Sequence, residues 1–160
     1  MTEWFRRDEK SIKMALGAPF LLTPLTFFVV VGLYLNDHHW KVTYVSWWTG
    51  KLSDFLGLFF LPVFLCAGLQ IGRSALSFFL KNSDFRSSLK RETIMGCSLL
   101  SGIFFIFLQL HPMAPNLFDQ GVSLFGFRAY VTQDASDLMA LPMVFLSYLY
   151  LLPWCERSIS

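Results

Sequence analysis

The sequence predicts an all-α membrane protein, a four-transmembrane-helix bundle with both termini in the cytoplasm (N-in/C-in). Three observations carry this expectation. First, the chain has 160 residues, of which 54% are apolar, only 15% are charged and 18 are phenylalanine. A soluble domain of that size is about a quarter charged, so this chain lacks the polar surface to coat a globule and lipid must cover it. Second, four stretches carry no charge and approach the roughly 20 residues that cross about 30 Å of hydrocarbon. Third, the basic residues are segregated to one side of those stretches.

The first stretch covers residues 14–36. It is too long for the apolar core of a signal peptide, and no small-x-small cleavage site follows it, so it reads as an uncleaved span. Pro19 and Pro24 should bend its cytoplasmic half unless neighbouring groups satisfy the carbonyls that proline leaves without a donor. The other charge-free stretches cover 55–72, 93–110 and 138–155. Each is only about 27 Å long at 1.5 Å per residue. An earlier start for the second and fourth draws in Asp54 and Asp137 and sets spans at 52–72, 93–110 and 135–155. The whole chain, 1–160, is then a single transmembrane domain.

Arg6, Arg7, Lys10, Lys13, Arg73, Lys81, Arg86, Lys90, Arg91 and Arg157 fall on one side of these spans, and only Lys41, Lys51 and Arg128 on the other. The positive-inside rule places the larger group in the cytoplasm of a cell with an inner membrane. The basic, partly apolar loop 73–92 should extend the second span into the interface, where it meets anionic lipid.

Two segments on the other side, 40–48 and 124–131, alternate β-branched and aromatic residues, and Asp119-Gln120-Gly121 reads as a turn before the second. They predict a small extracytoplasmic cap, with a short β-pairing as its form. The competing reading is an aromatic belt at the membrane interface with no regular structure. Residues 49–58 (TGKLSDFLGL) and 132–141 (TQDASDLMAL) share Thr, Ser-Asp and Leu at matching positions. This weak repeat suggests two parallel two-helix halves. It would set Lys51 against Asp134, and Asp54 against Asp137 a turn deeper.

Ionisable residues at membrane depth are functional candidates by default. Lys51, Asp54, Arg128, Asp134 and Asp137 form the candidate ligand-binding set, with Asp54 and Asp137 as the carboxylates that could act as a general base. Two Ser-Asp pairs opening two helices are equally explained as caps, the Ser satisfying an orphan amide and the Asp complementing the helix dipole. If the set is a site, Lys51, Arg128 and helix N-termini suit an anionic lipid headgroup or phosphate. His38, His39 and His111 are weak metal candidates: no H-x-x-x-H or H-E-x-x-H spacing exists, and adjacent histidines on a strand point apart. Cys66, Cys97 and Cys155 have no metal or redox spacing and read as small apolar residues.

No nucleophile motif, phosphate-cradling loop or nucleotide fingerprint is present, and no basic stacking platform suits nucleic acid. No cofactor is therefore expected. The leading expectation is a non-enzymatic membrane protein whose extracytoplasmic polar cluster binds an envelope lipid or partner. The alternatives are a membrane enzyme acting on a lipid-linked substrate, and an oligomeric effector or pore subunit, although no polar stripe crosses the bilayer midplane.

Lys51-Leu52-Ser53-Asp54-Phe55 at the second span, Gln109 at the end of the third, and Arg128 with Asp137 before the fourth give a layout that resembles the VanZ-like membrane proteins. That family is a small four-helix unit with an acidic-Lys-x-x-His type motif, a Glu/Gln-bearing third span and an Arg…Asp motif. Here Gly50 stands in place of the acid, Asp54 in place of His, no acid occurs in 104–108, and Arg128 lies further from Asp137. The resemblance implies an envelope-associated role, glycopeptide tolerance in the named member, and no transferable catalytic residue.

Overall fold

Two prolines shape the start of the chain. In the computed structural model, in which residues 18–44, 46–80, 89–124, 126 and 131–156 are described, Pro19 opens a 3-10 turn, Pro19–Leu22. Pro24 opens helix α1, Pro24–Leu35. Pro24 has no N–H to give the Phe20 carbonyl one turn back. That carbonyl accepts instead from the hydroxyls of Thr26 (2.9 Å), Tyr150 (2.8 Å) and Thr23 (3.1 Å). Thr23 also caps α1, its Oγ1 accepting from the Thr26 N–H at 3.3 Å. The break expected at the prolines is present, and a tyrosine from the far end of the chain helps to satisfy it.

Helix α1 runs on through a π-helical turn, Asn36–Trp40, and a last turn, Lys41–Thr43. Helix α2 is Trp47–Leu80, α3 is Arg91–Leu110 and α4 is Ala114–Ser123. A 3-10 turn, Ala135–Ala140, then leads into α5, Pro142–Glu156. Three helical stretches are long and apolar enough to cross a membrane: Trp47–Leu76, Arg91–Leu110 and Ala135–Cys155. They cover the expected spans at 52–72, 93–110 and 135–155, including the earlier starts that bring in Asp54 and Asp137. Helix α2 continues past Gly72 to Leu80, as the loop reading anticipated; residues 81–88, and the chain before residue 18, lie outside the described residues.

The β-pairing is corrected. Among the described residues no strand forms, and the aromatic run at 40–48 is largely helical. Its local chemistry explains why. Ser46 precedes α2, and Thr49 Oγ1 accepts from the Ser46 N–H (3.3 Å) while donating to the Ser46 carbonyl (2.8 Å). A side chain three residues into the helix that reaches back in this way is one half of a capping box. Trp47 and Trp48 thus enter α2 through this cap, while Val42 and Thr43 continue the helical turns that follow α1, and no strand partners them among the described residues. Asp119-Gln120-Gly121, expected as a turn, lies within α4. Of the second aromatic segment, residues 125 and 127–130 lie outside the described residues.

Helices α2, α3 and α5 pack on one another, and α1 packs on α2. Small side chains permit the close approach expected between helices in lipid. Ser98, Ser101 and Gly102 of α3 are buried. A Cβ added at Gly32 of α1 would lie 3.1 Å from Leu56 Cδ1 of α2. Cys66 and Cys97 are buried and Cys155 half-buried, all as free thiols. The surface is inverted relative to a soluble bundle: Phe28 is 68% exposed, Ile103 64% and Phe145 61%. Trp40, Tyr44, Trp47 and Trp48 are exposed together where α1 gives way to α2, the placement expected of an interfacial aromatic belt.

Candidate functional site

Lys51 sits early in α2, yet its side chain is only 7% exposed. An ammonium has three N–H donors and no acceptor. All three have partners: Asp134 Oδ2 at 3.1 Å, Ser136 Oγ and Asp137 Oδ1. The Trp47 ring adds a cation–π contact, its centroid 5.6 Å from Nζ.

The acids are positioned by the turn that opens the last helix. Asp134 is its N-cap and accepts from the Ser136 N–H at 2.8 Å. Asp137, three residues on, is buried; its second oxygen accepts from Gln109 Nε2 at 3.0 Å. Gln109 Oε1 in turn accepts from the Asp134 N–H at 3.1 Å. One carboxamide at the end of α3 thus links both aspartates, and the cluster ties α2, α3 and the start of the last span together. Gln133 stitches the same corner, donating from Nε2 to the carbonyls of Leu108 (2.9 Å) and His111 (2.8 Å). Asp54, one turn along α2 from Lys51, is half-buried and lies close enough to the Asp137 carboxylate, and to Lys41 and Lys51, to feel their charges. Among the described residues no ion pair reaches Asp54.

A second network lies alongside. Asn36, fully buried at the end of α1, donates to the Thr49 carbonyl and to Ser53 Oγ, both at 2.7 Å. Ser53 Oγ donates to Asp37 Oδ1 at 2.6 Å, and Lys41 pairs with Asp37 at 2.8 Å. Burial raises the Asp37 carboxyl, but the hydrogen bonds from Lys41 and Ser53 outweigh it and hold the group below its ordinary value.

The repeat brings together the residues it was expected to bring together, Lys51 with Asp134 and Asp54 with Asp137, but not through two equivalent helix starts. Helix α2 begins at Trp47, so Ser53 and Asp54 lie inside it rather than at its cap. In the second copy the cap is Asp134, not Ser136. The capping explanation is therefore corrected for both serines and for Asp54, with Ser136 accepting from Lys51 and Ser53 bridging Asn36 and Asp37, whereas Asp137 does lie in the first turn of its helix.

The anion-binding reading also changes, because Lys51 has no donor left for a phosphate. Arg128 lies outside the described residues. The histidines stay apart. His38 stacks on Tyr34 with ring centroids 4.4 Å apart, and His111 on Phe107 at 4.9 Å. His38 and His39 occupy a π-helical turn rather than a strand. No group of three or more metal-ligating side chains occurs among the described residues. Residue types alone missed Ser136 and Asn36 as members of these networks. Gln109 entered only through the family resemblance, although a lone amide after an apolar run carries its own signal of interhelical bonding.

Asp134 supplies a pH test. The Ser136 side chain and backbone, and then Lys51, hold its carboxyl at about 2, below the ordinary 3.8. A depressed carboxyl contributes stability above its unfolded value and loses it as pH falls towards its folded one. Thermal unfolding in detergent should therefore weaken from about pH 4 to about pH 2, and Asp134→Asn should remove that part of the profile. Superimposable acid profiles for the two proteins would exclude the contribution.

The fold and cluster define a class: among the described residues, an all-helical chain with three apolar helices long enough to cross a membrane, compatible with a multi-pass membrane protein, and a buried ionic cluster at one end of them. Compared with protein-family models, curated proteins and solved structures, the chain finds no match.

Proposed function

We propose that the chain is a four-span inner-membrane protein with both termini cytoplasmic, whose extracytoplasmic polar cluster engages an amine-bearing headgroup of an envelope lipid. The distribution of basic residues and the packing of α1 beside three longer apolar helices support the topology. The observation that carries the ligand class is the saturation of Lys51. With all three ammonium donors held by Asp134, Ser136 and Asp137, the cluster presents no lysine to an anion. It presents instead the Asp54 carboxyl, which lies beside Asp137 and has no direct ion pair among the described residues. A ligand ammonium beside Asp54 supplies a direct ion pair and a charge-assisted hydrogen bond. Of the residues that carry the VanZ-like resemblance, Lys51, Asp54, Gln109 and Asp137 meet at this cluster.

Native mass spectrometry of the detergent-solubilised protein, with phosphatidylethanolamine and phosphatidylglycerol supplied equally, tests this. Preferential retention of phosphatidylethanolamine is expected, lost in Asp54→Asn and kept in Asp37→Asn. Equal retention of the two lipids by the unaltered protein would sink the proposal.

The same carboxyl contact favours a second reading, an enzyme acting on a lipid-linked substrate with Asp54 as general base. A neighbouring acid is one way to tune such a base, and Asp137 is held in place by Lys51 and Gln109. Under that reading Asp54→Asn still binds lipid but turns none over; loss of binding itself favours the headgroup site.

A further inference from the structure

Helix α4 carries Ala114, Leu117, Phe118, Gly121 and Val122 at the i, i+3, i+4, i+7 and i+8 positions of one face. Pro115, in the first turn, and the polar Asn116, Asp119, Gln120 and Ser123 occupy its other positions. Opposite that apolar stripe, α3 presents Phe104, Phe107 and Leu108 at i, i+3 and i+4. Phe104 and Phe118 meet edge-to-face with centroids 5.8 Å apart. The stripes otherwise do not close on each other: they line a partly open cavity of about 380 Å³. A Cβ added at Gly121 would meet nothing within 4 Å, so the backbone there borders open space.

Facing apolar stripes in a folded protein normally close to crystal-like density. Water does not fill such a gap, because an apolar cavity lacks the two to four polar partners that an ordered water needs. The neighbouring surface identifies what does. Helix α3 is long and apolar enough to cross a membrane, and its outward face, with Leu99 at 59% and Ile103 at 64% exposed, is apolar surface that hydrocarbon would cover. Phe107 belongs both to this exposed face and to the cavity wall. Helix α4, apolar on one side and polar on the other, has the character of a helix lying in the membrane interface.

We propose that the cavity between α3 and α4 seats one acyl chain of a membrane lipid, in the outer leaflet under the topology proposed above. The fit is chemical and dimensional. The eight lining residues are apolar, and the volume lies within the range of small-ligand sites. The inference needs the membrane placement but not the headgroup site.

The test uses the full chain in vesicles of phosphatidylethanolamine and phosphatidylglycerol doped with a phosphatidylcholine bearing a diazirine near the end of one acyl chain. After illumination, adducts are mapped by peptide mass spectrometry. Adducts are expected to concentrate on Phe107, Leu117 and Phe118 over Leu99 and Ile103, which face the same bulk lipid. Gly121→Leu grows a side chain into the cavity. An excluded chain returns to bulk hydrocarbon, so cavity adducts should fall to the density found on Leu99 and Ile103 while those stay level, which also reports insertion. Val122→Phe, filling the space from the next position, should act in the same direction. Cavity adducts no denser than those on Leu99 and Ile103, or unchanged in inserted Gly121→Leu, overturn the proposal. Asp54→Asn should leave the cavity labelling intact, so failure of the headgroup reading is separately visible.

Discussion

Lys51→Met is expected to destabilise the folded protein by about 3 kcal/mol or more, because it strands a buried carboxylate. Methionine keeps most of the stem and removes the ammonium. Asp137, 7% exposed, then keeps Gln109 as a donor but loses its cation. The Asp134 arm of the same lysine matters less: that side chain is 50% exposed, and exposed pairs contribute at most about 1 kcal/mol. The deciding comparison is a double-mutant cycle. Lys51→Met combined with Asp137→Leu should recover most of the loss, since an apolar replacement of a buried pair is often neutral or stabilising. Unfolding in mixed micelles by titration with a denaturing detergent measures both. A single Lys51→Met variant within about 1 kcal/mol of the parent would mean the cluster is solvated and behaves as a surface pair.

Phe20→Ala should cost about 3 kcal/mol by opening a cavity in the core. Phe20 is 1% exposed and packs edge-on to Trp154, centroids 6.4 Å apart, where the broken start of the chain meets the last helix. In lipid the loss falls on packing contacts rather than on removal from water. Tyr150→Phe supplies the scale. It removes one of three donors to the Phe20 carbonyl and leaves Thr26 and Thr23 in place, so about 1 kcal/mol is expected. The reverse order in the same unfolding assay would show that hydroxyls, not the phenylalanine, hold the broken segment.

The element that sequence reasoning misjudged is instructive. Residues 40–48 have the composition of a strand, but a strand needs a partner, whereas a helix satisfies its backbone within the segment. Ser46 and Thr49 already encode that helix start. Their pattern is short and polar, and it is easily overlooked between four aromatic residues. The broken first helix shows the opposite case. A proline's missing N–H is a local, chemical certainty, so the break at Pro24 is readable from residue order alone. That Tyr150 would satisfy the freed carbonyl is not, because 130 residues separate Tyr150 from Phe20.

The candidate site divides along the same line. The repeat at 49–58 and 132–141 is enough to pair Lys51 with Asp134 and Asp54 with Asp137, since the two segments open helices on the same side. It cannot reveal that the two backbones differ, one a regular helix and the other a capped 3-10 turn, nor that Gln109 joins both aspartates.

Composition and hydropathy are local sums along the chain, and they suffice for an all-helical protein with three of its spans placed to within a turn or so. Which groups satisfy which depends on side chains that meet only after the helices pack. Tertiary structure alone therefore decides that Lys51 is fully engaged, that Asp54 comes up beside Asp137, and that α3 and α4 leave a gap between their apolar stripes.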